Sequence, residues 1–232
     1  MYRLSLSLLL FSLLIIIIIV LIAQYYNYNL FESFESEQTN TNTNTNIKNI
    51  ILIGDSMLNN SVYTLQSQSI PVLISKQLEK TPEKTLYNLA KDGATISDCS
   101  NQLNEIPPNL NLNKTNVFIS AGGNDILNSR QLNSVSVDEI FKKYMELIKS
   151  IKTKLNNSNI VLLKLYYPLN FTYKSFHTFI KQWNQLLDDN SSVIGYKLLH
   201  TDTIIVSKED IVYEVEPSVK GGDKIAKAIV DF

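Results

Sequence analysis

A serine placed directly behind a buried strand is positioned to act as a nucleophile, and Gly54-Asp55-Ser56 follows the apolar run Ile47–Ile53. A Ser hydroxyl attacks only when one group takes its proton and others hold the developing oxyanion. Ser56 is the candidate nucleophile, on a turn where its Oγ can face a cleft. Taken alone, the same tripeptide also suits an ordinary strand-to-helix turn. Gly122-Gly123-Asn124-Asp125, after Val117–Ala121, is harder to explain by folding alone. Two further pieces are Gly93 in Ala90-Lys91-Asp92-Gly93-Ala94, and Glu216-Pro217-Ser218 ahead of a terminal helix. Asp55 and Asp125 could instead ligate a metal, but no further carboxylate or His follows at useful spacing. The chain carries no G-x-S-x-G elbow, no G-x-G-x-x-G and no P-loop. Gly54 also breaks the two-Asp spacing of an aspartyl-nucleophile phosphatase.

These pieces must be held by regular elements. Apolar runs predict strands at Ile47–Ile53, Thr85–Leu89, Thr115–Ala121, Asn159–Tyr166 and Tyr196–Thr201. Helical patterns lie between and after them, at Ser69–Leu78, Thr95–Leu103, Val137–Leu155, Tyr173–Asp188 and about Ser218–Val230. Ser136 with Glu139 forms a capping box at the start of the third. Strand–helix alternation, with runs such as Ile50-Ile51-Leu52-Ile53, argues for an α/β fold whose parallel sheet is covered on both faces. In such sheets ligands collect at the carboxyl ends of the strands. Gly54–Ser56 and Gly122–Asp125 both fall there. Trp183 reads as helix core.

In their order, the four pieces resemble the SGNH (GDSL-like) hydrolases, a family of serine esterases and acyl-sugar deacetylases. The resemblance covers about residues 47–232. It implies a three-layer α/β/α sandwich of flavodoxin-like type with a five-stranded parallel sheet. It also implies an oxyanion hole made of the Ser56 N–H, the Gly93 N–H and the Asn124 side chain. The family's C-terminal block runs Asp-x-x-His-Pro; here Tyr213 stands at the Asp position and Glu216 at the His position. An ordinary Glu, near pKa ~4.3, is about two units less basic than His, but burial can raise it. Glu216 is thus either the proton acceptor or a surface residue near the positive end of the last helix. Of the two histidines, His200 ends the fifth strand, and His177 lies on the cleft side, where a surface helix position is the plainer reading. The implied function is hydrolysis of an ester or O-acyl group, on a small-molecule or glycan substrate, with no cofactor. The alternative is a degenerate domain that binds an acylated or glycan ligand without cleaving it.

The N-terminus adds a second theme. Leu4–Ala23 is twenty residues without a charge, about 30 Å as a helix, the thickness of a bilayer's hydrocarbon core. It is read as a transmembrane signal-anchor, with residues 1–3 cytoplasmic and residues 24–46 a disordered Thr/Asn-rich spacer. The globular domain would then be lumenal or extracellular, and a secreted protein after signal cleavage is the alternative. Five N-x-S/T sequons, at Asn59, Asn113, Asn156, Asn170 and Asn190, accord with that side of the membrane. Residues 1–46 hold one cation and three acids, so the net charge of −1 leaves the remainder near +1. Nothing in that balance implies a nucleic-acid partner. Cys99 is alone, so no disulfide forms within the chain.

Overall fold

A computed structural model describes residues 47–110, 112–131 and 136–232. The signal-anchor at 4–23 and the spacer at 24–46 lie outside the described residues. Among the described residues no helix is long and apolar enough to cross a membrane.

All five predicted strands form: β1 Asn49–Gly54, β2 Thr85–Asn88, β3 Thr115–Ser120, β4 Asn159–Leu163 and β5 Lys197–Leu199. They make one parallel sheet in the order β2-β1-β3-β4-β5. Every residue of β1 and β3 is buried, because helices cover both faces. On one face lie α1 (Ile70–Leu78) and the terminal helix, Val219–Val230; on the other lie α2 (Ile96–Gln102), α4 (Val137–Lys154) and α5 (His177–Ile194). The Ser136 box forms, with the Ser136 Oγ accepting from Glu139 N at 3.2 Å. The α4 stripe of Ile140, Tyr144, Leu147, Ile148 and Ile151 is buried against the sheet and α5.

This strand order reverses direction between β1 and β3, and the crevice at such a switch point is where ligands bind. The register Gly54↔Ser120 ends the two strands level, so the segments that follow them emerge side by side. After β3 the chain enters a helix the sequence did not predict, α3 (Gly123–Gln131). Two further elements are also new: a short helix, α6 (Thr201–Ile204), and a hairpin of β6 (Ile211–Val212) and β7 (Glu216–Pro217) leading into the terminal helix, α7.

Candidate active site

Two buried amides brace the strand ends that carry the site. The Gln102 side chain accepts from Gly54 N at 2.7 Å and donates to Gly54 O at 2.9 Å. Asn184 does the same for Leu165 beyond β4, at 2.9 and 2.8 Å. Gly54 itself takes φ 148°, and a Cβ there would sit 2.1 Å from the Ser120 carbonyl oxygen. No larger residue fits where β1 turns into the loop that carries Ser56. Gly122, at φ 99°, is equally confined, because a Cβ would lie 2.4 Å from the Trp183 ring. Trp183 is fully buried and packs edge-on to Phe141 at 5.3 Å, forming the floor beneath this segment.

Beyond Gly54 the chain makes one tight turn. Asp55 O accepts from the N–H groups of Leu58 and Asn59, and Asp55 Oδ1 accepts from Met57 N at 3.1 Å and Ser120 Oγ at 2.7 Å. Ser56 is thereby fixed at the rim. It lines a cleft together with Asn124 and Glu216. Met57, Ile126, Leu127, Leu165, Phe176 and Ile180 supply the apolar part of the wall. The Asn124 Nδ2 donates to Ala94 O at 2.9 Å. An amide nitrogen carries two hydrogens, so this bond orients the side chain and leaves a donor over. Gly93 does not line the cleft. It sits at φ 77° on the turn just before Ala94, with open space where a Cβ would be. The structure thus brings Ser56, Asn124 and Glu216 to one cavity and ties the Gly93 turn to Asn124 through Ala94.

Glu216 does not cap the last helix. The cap is Ser218, whose Oγ accepts from Gly221 N at 3.1 Å. Glu216 instead projects from β7, half-buried, and lines the same cleft as Ser56. Burial raises its pKa above the ordinary carboxylate value, the nearby Ser56 hydroxyl pulls it back, and the charge of Asp92 pushes it up again. The hairpin is firmly held. Tyr166 Oη donates to Val215 O, Asn60 Nδ2 donates to Pro217 O at 3.1 Å, and Asn170 Nδ2 donates to Glu214 Oε1 at 2.9 Å. Its turn places Tyr213 at φ 46° and Glu214 at φ 71°. Two adjacent non-glycine residues in the left-handed region cost on the order of 1–3 kcal/mol each, a strain that persists only where the surroundings enforce it.

Other candidates have plainer roles. His177 Nε2 bonds Pro168 O at 2.8 Å, and its ring stands edge-on to Tyr167. His200 pairs with Asp202 at 3.8 Å near the sheet's edge. Neither lines the cleft. Asp125 accepts from Ile96 N at 3.0 Å, and no group of three or more potential metal ligands exists among the described residues.

Comparison with known proteins agrees with this geometry. The model of the family described as GDSL-like Lipase/Acylhydrolase matches residues 50–208, well over half of the chain. Glu216 lies beyond the matched stretch. No curated protein matches in sequence. Among solved structures, a lipolytic protein of the G-D-S-L family from Veillonella parvula superposes with TM-score 0.63 at 14% identity, covering 79% of this chain and 97% of that one. The psychrotrophic esterase EstA from Pseudoalteromonas sp. gives 0.61 at 18% identity, over 79% and 95%. An acetyl xylan esterase from Geobacillus stearothermophilus gives 0.60 at 16% identity, over 79% and 93%. The chain belongs to the GDSL-like lipase/acylhydrolase family, the SGNH hydrolases.

Proposed function

We propose that the protein is a membrane-anchored serine hydrolase of carboxylic or O-acyl esters, with Glu216 in the place of the family's histidine. The Ser56 proton passes to the Glu216 carboxylate while Oγ bonds to the acyl carbon. The carbonyl oxygen becomes an oxyanion, held by the Ser56 N–H and the Asn124 amide, which line the cleft; the third donor that the resemblance assigns to Gly93 lies on a turn outside it. Collapse of this intermediate breaks the bond to the alcohol, which leaves with the proton from Glu216. Water then attacks the acyl-enzyme, giving its proton to Glu216; the acyl–Oγ bond breaks, the carboxylic acid leaves, and Glu216 returns the proton to Ser56. The apolar wall would receive the acyl chain. The observation that carries the reading is that Ser56 and a half-buried carboxylate, whose basicity burial has increased, line one cleft.

Full-length protein in detergent should hydrolyse a short p-nitrophenyl ester and be labelled by a fluorophosphonate. Ser56→Ala should lose the label and fall to the background rate. EstA, which shares the fold, is described as inhibited by monoethylphosphonate. If wild type and Ser56→Ala prove equally inert in both assays, the hydrolase gives way to a domain that only binds its ligand.

The anchor reading rests on Leu4–Ala23 and on the sequons. Expressed in cells with a secretory pathway, the protein should stay in membranes through alkaline extraction, with Asn170 or Asn190 glycosylated. Release as a soluble, shortened chain would favour a cleaved signal.

A further inference from the structure

Glu216 reaches the cleft from a strand only two residues long, β7, so contacts from outside that strand must fix its backbone. The carbonyls on either side of it are both taken by buried donors. Tyr166 Oη donates to Val215 O, and Asn60 Nδ2 donates to Pro217 O at 3.1 Å, across 157 positions of sequence. Asn60 is fully buried and stands four residues after Ser56, just beyond the turn closed by the Asp55 carbonyl. We propose that Asn60 is the positioning residue of Glu216: its amide ties the strand that carries the base to the turn that carries the nucleophile. This rests on the reading of Glu216 as proton acceptor and deepens it.

The place suits asparagine on two counts. Its backbone sits at φ 48°, in the left-handed region that Asn tolerates better than most residues. Its side chain must accept at one end and donate at the other, which an amide does and a carboxylate does not. The accepting end takes Ile70 N at 2.8 Å, one of the N–H groups that the first turn of α1 cannot satisfy itself. Ser69, at the helix cap, makes no side-chain bond to that turn; its Oγ donates to Gln66 O instead. The Asn60 carbonyl accepts from Tyr63 N at 3.2 Å and Thr64 Oγ1 at 3.0 Å, which closes the loop behind it. A Cβ on Gly222 of α7 would come within 3.3 Å of Asn60 Nδ2, so the terminal helix packs directly on the amide. The Ser56 turn, α1, β7 and α7 thus meet at one buried side chain. Without the bond to Pro217 O, β7 loses its tie on that flank. A reacting group displaced by about 1 Å can cost on the order of 10² in rate.

Asn60→Gly suits the backbone conformation and removes both side-chain bonds. In the full chain in detergent, kcat for a short ester should fall about 10–100-fold while KM stays within about threefold. Hydrogen exchange should quicken at least about tenfold across residues 211–218 and stay unchanged in β1 and β3. Asn60→Asp separates the two bonds, and decides the matter where the glycine variant fails to fold. It still accepts from Ile70 N, but once ionised it turns an oxygen to the Pro217 carbonyl. Its kcat should therefore fade as pH rises towards 9 while the wild type holds its plateau. Asp55, Tyr63, Asp92 and Glu216 are common to both proteins, so the difference between the profiles belongs to residue 60. The proposal is overturned if Asn60→Gly keeps kcat within about threefold of wild type, or if Asn60→Asp follows the wild-type profile through pH 9. It is equally overturned if residues 211–218 exchange as before, or if β1 and β3 loosen with them, which marks a general structural role. Exchange needs no turnover, so an inert wild type refutes the hydrolase reading separately and leaves exchange to decide whether Asn60 holds Glu216.

Discussion

Glu216→Gln is expected to lower kcat for a short ester by roughly 10²–10⁴-fold, the usual worth of general-base help. Gln keeps the shape but cannot take the Ser56 proton. The pH profile sharpens the expectation. In the wild type, activity needs the ionised carboxylate, so it falls as pH drops through the Glu216 pKa, which burial places above the ordinary carboxylate value. That acid limb should vanish in Glu216→Gln along with most of the rate. The residual turnover would come from the donors around Asn124, which stabilise the oxyanion whatever accepts the proton. If Glu216→Gln keeps more than about a third of wild-type kcat with the same acid limb, another group is the base.

The frame that carries this chemistry was legible in the sequence because its signals are strong and local. Ile50–Ile53 and Val117–Ile119 are buried on both sides, so their strands read as unbroken apolar runs. The Ser136–Glu139 box marked the start of α4 to the residue. What escaped has physical reasons. Helix α3 is written Gly-Asn-Asp-Ile-Leu-Asn-Ser-Arg-Gln, with only two apolar residues to suggest a period. The β6–β7 hairpin turns on Tyr213 and Glu214, where no Gly or Asn advertises a left-handed conformation. Gln102 and Asn184 look like surface amides in a helix, yet each is buried against a strand end that only the fold brings near. The strand ends that carry Ser56 and Asn124 were therefore legible, while the setting of Glu216 depends on long-range contact.

Asp55→Asn should make the protein more stable than wild type at pH 8 and about equal to it near pH 4. Asp55 is 3% exposed, and burial pushes its carboxyl up to about 7; the bonds from Ser120 and Met57 pull it down, and the Glu216 charge adds to the rise. The unfolded chain releases this proton near pH ~3.9, so between about pH 4 and 7 the native state binds a proton the unfolded state has lost. Stability from this group is full below the lower value and is lost as pH rises through the upper one. A gap of about three pKa units corresponds to roughly 4 kcal/mol, an order-of-magnitude figure. Asn retains the Oδ1 acceptor for Ser120 and Met57 and presents an N–H₂ where the protonated acid presents O–H, so it mimics the neutral form at every pH. Urea midpoints of both proteins at pH 4, 6 and 8 should diverge as pH rises, with only the wild type falling. Parallel curves would mean that Asp55 is ionised throughout and that its two hydrogen bonds outweigh burial.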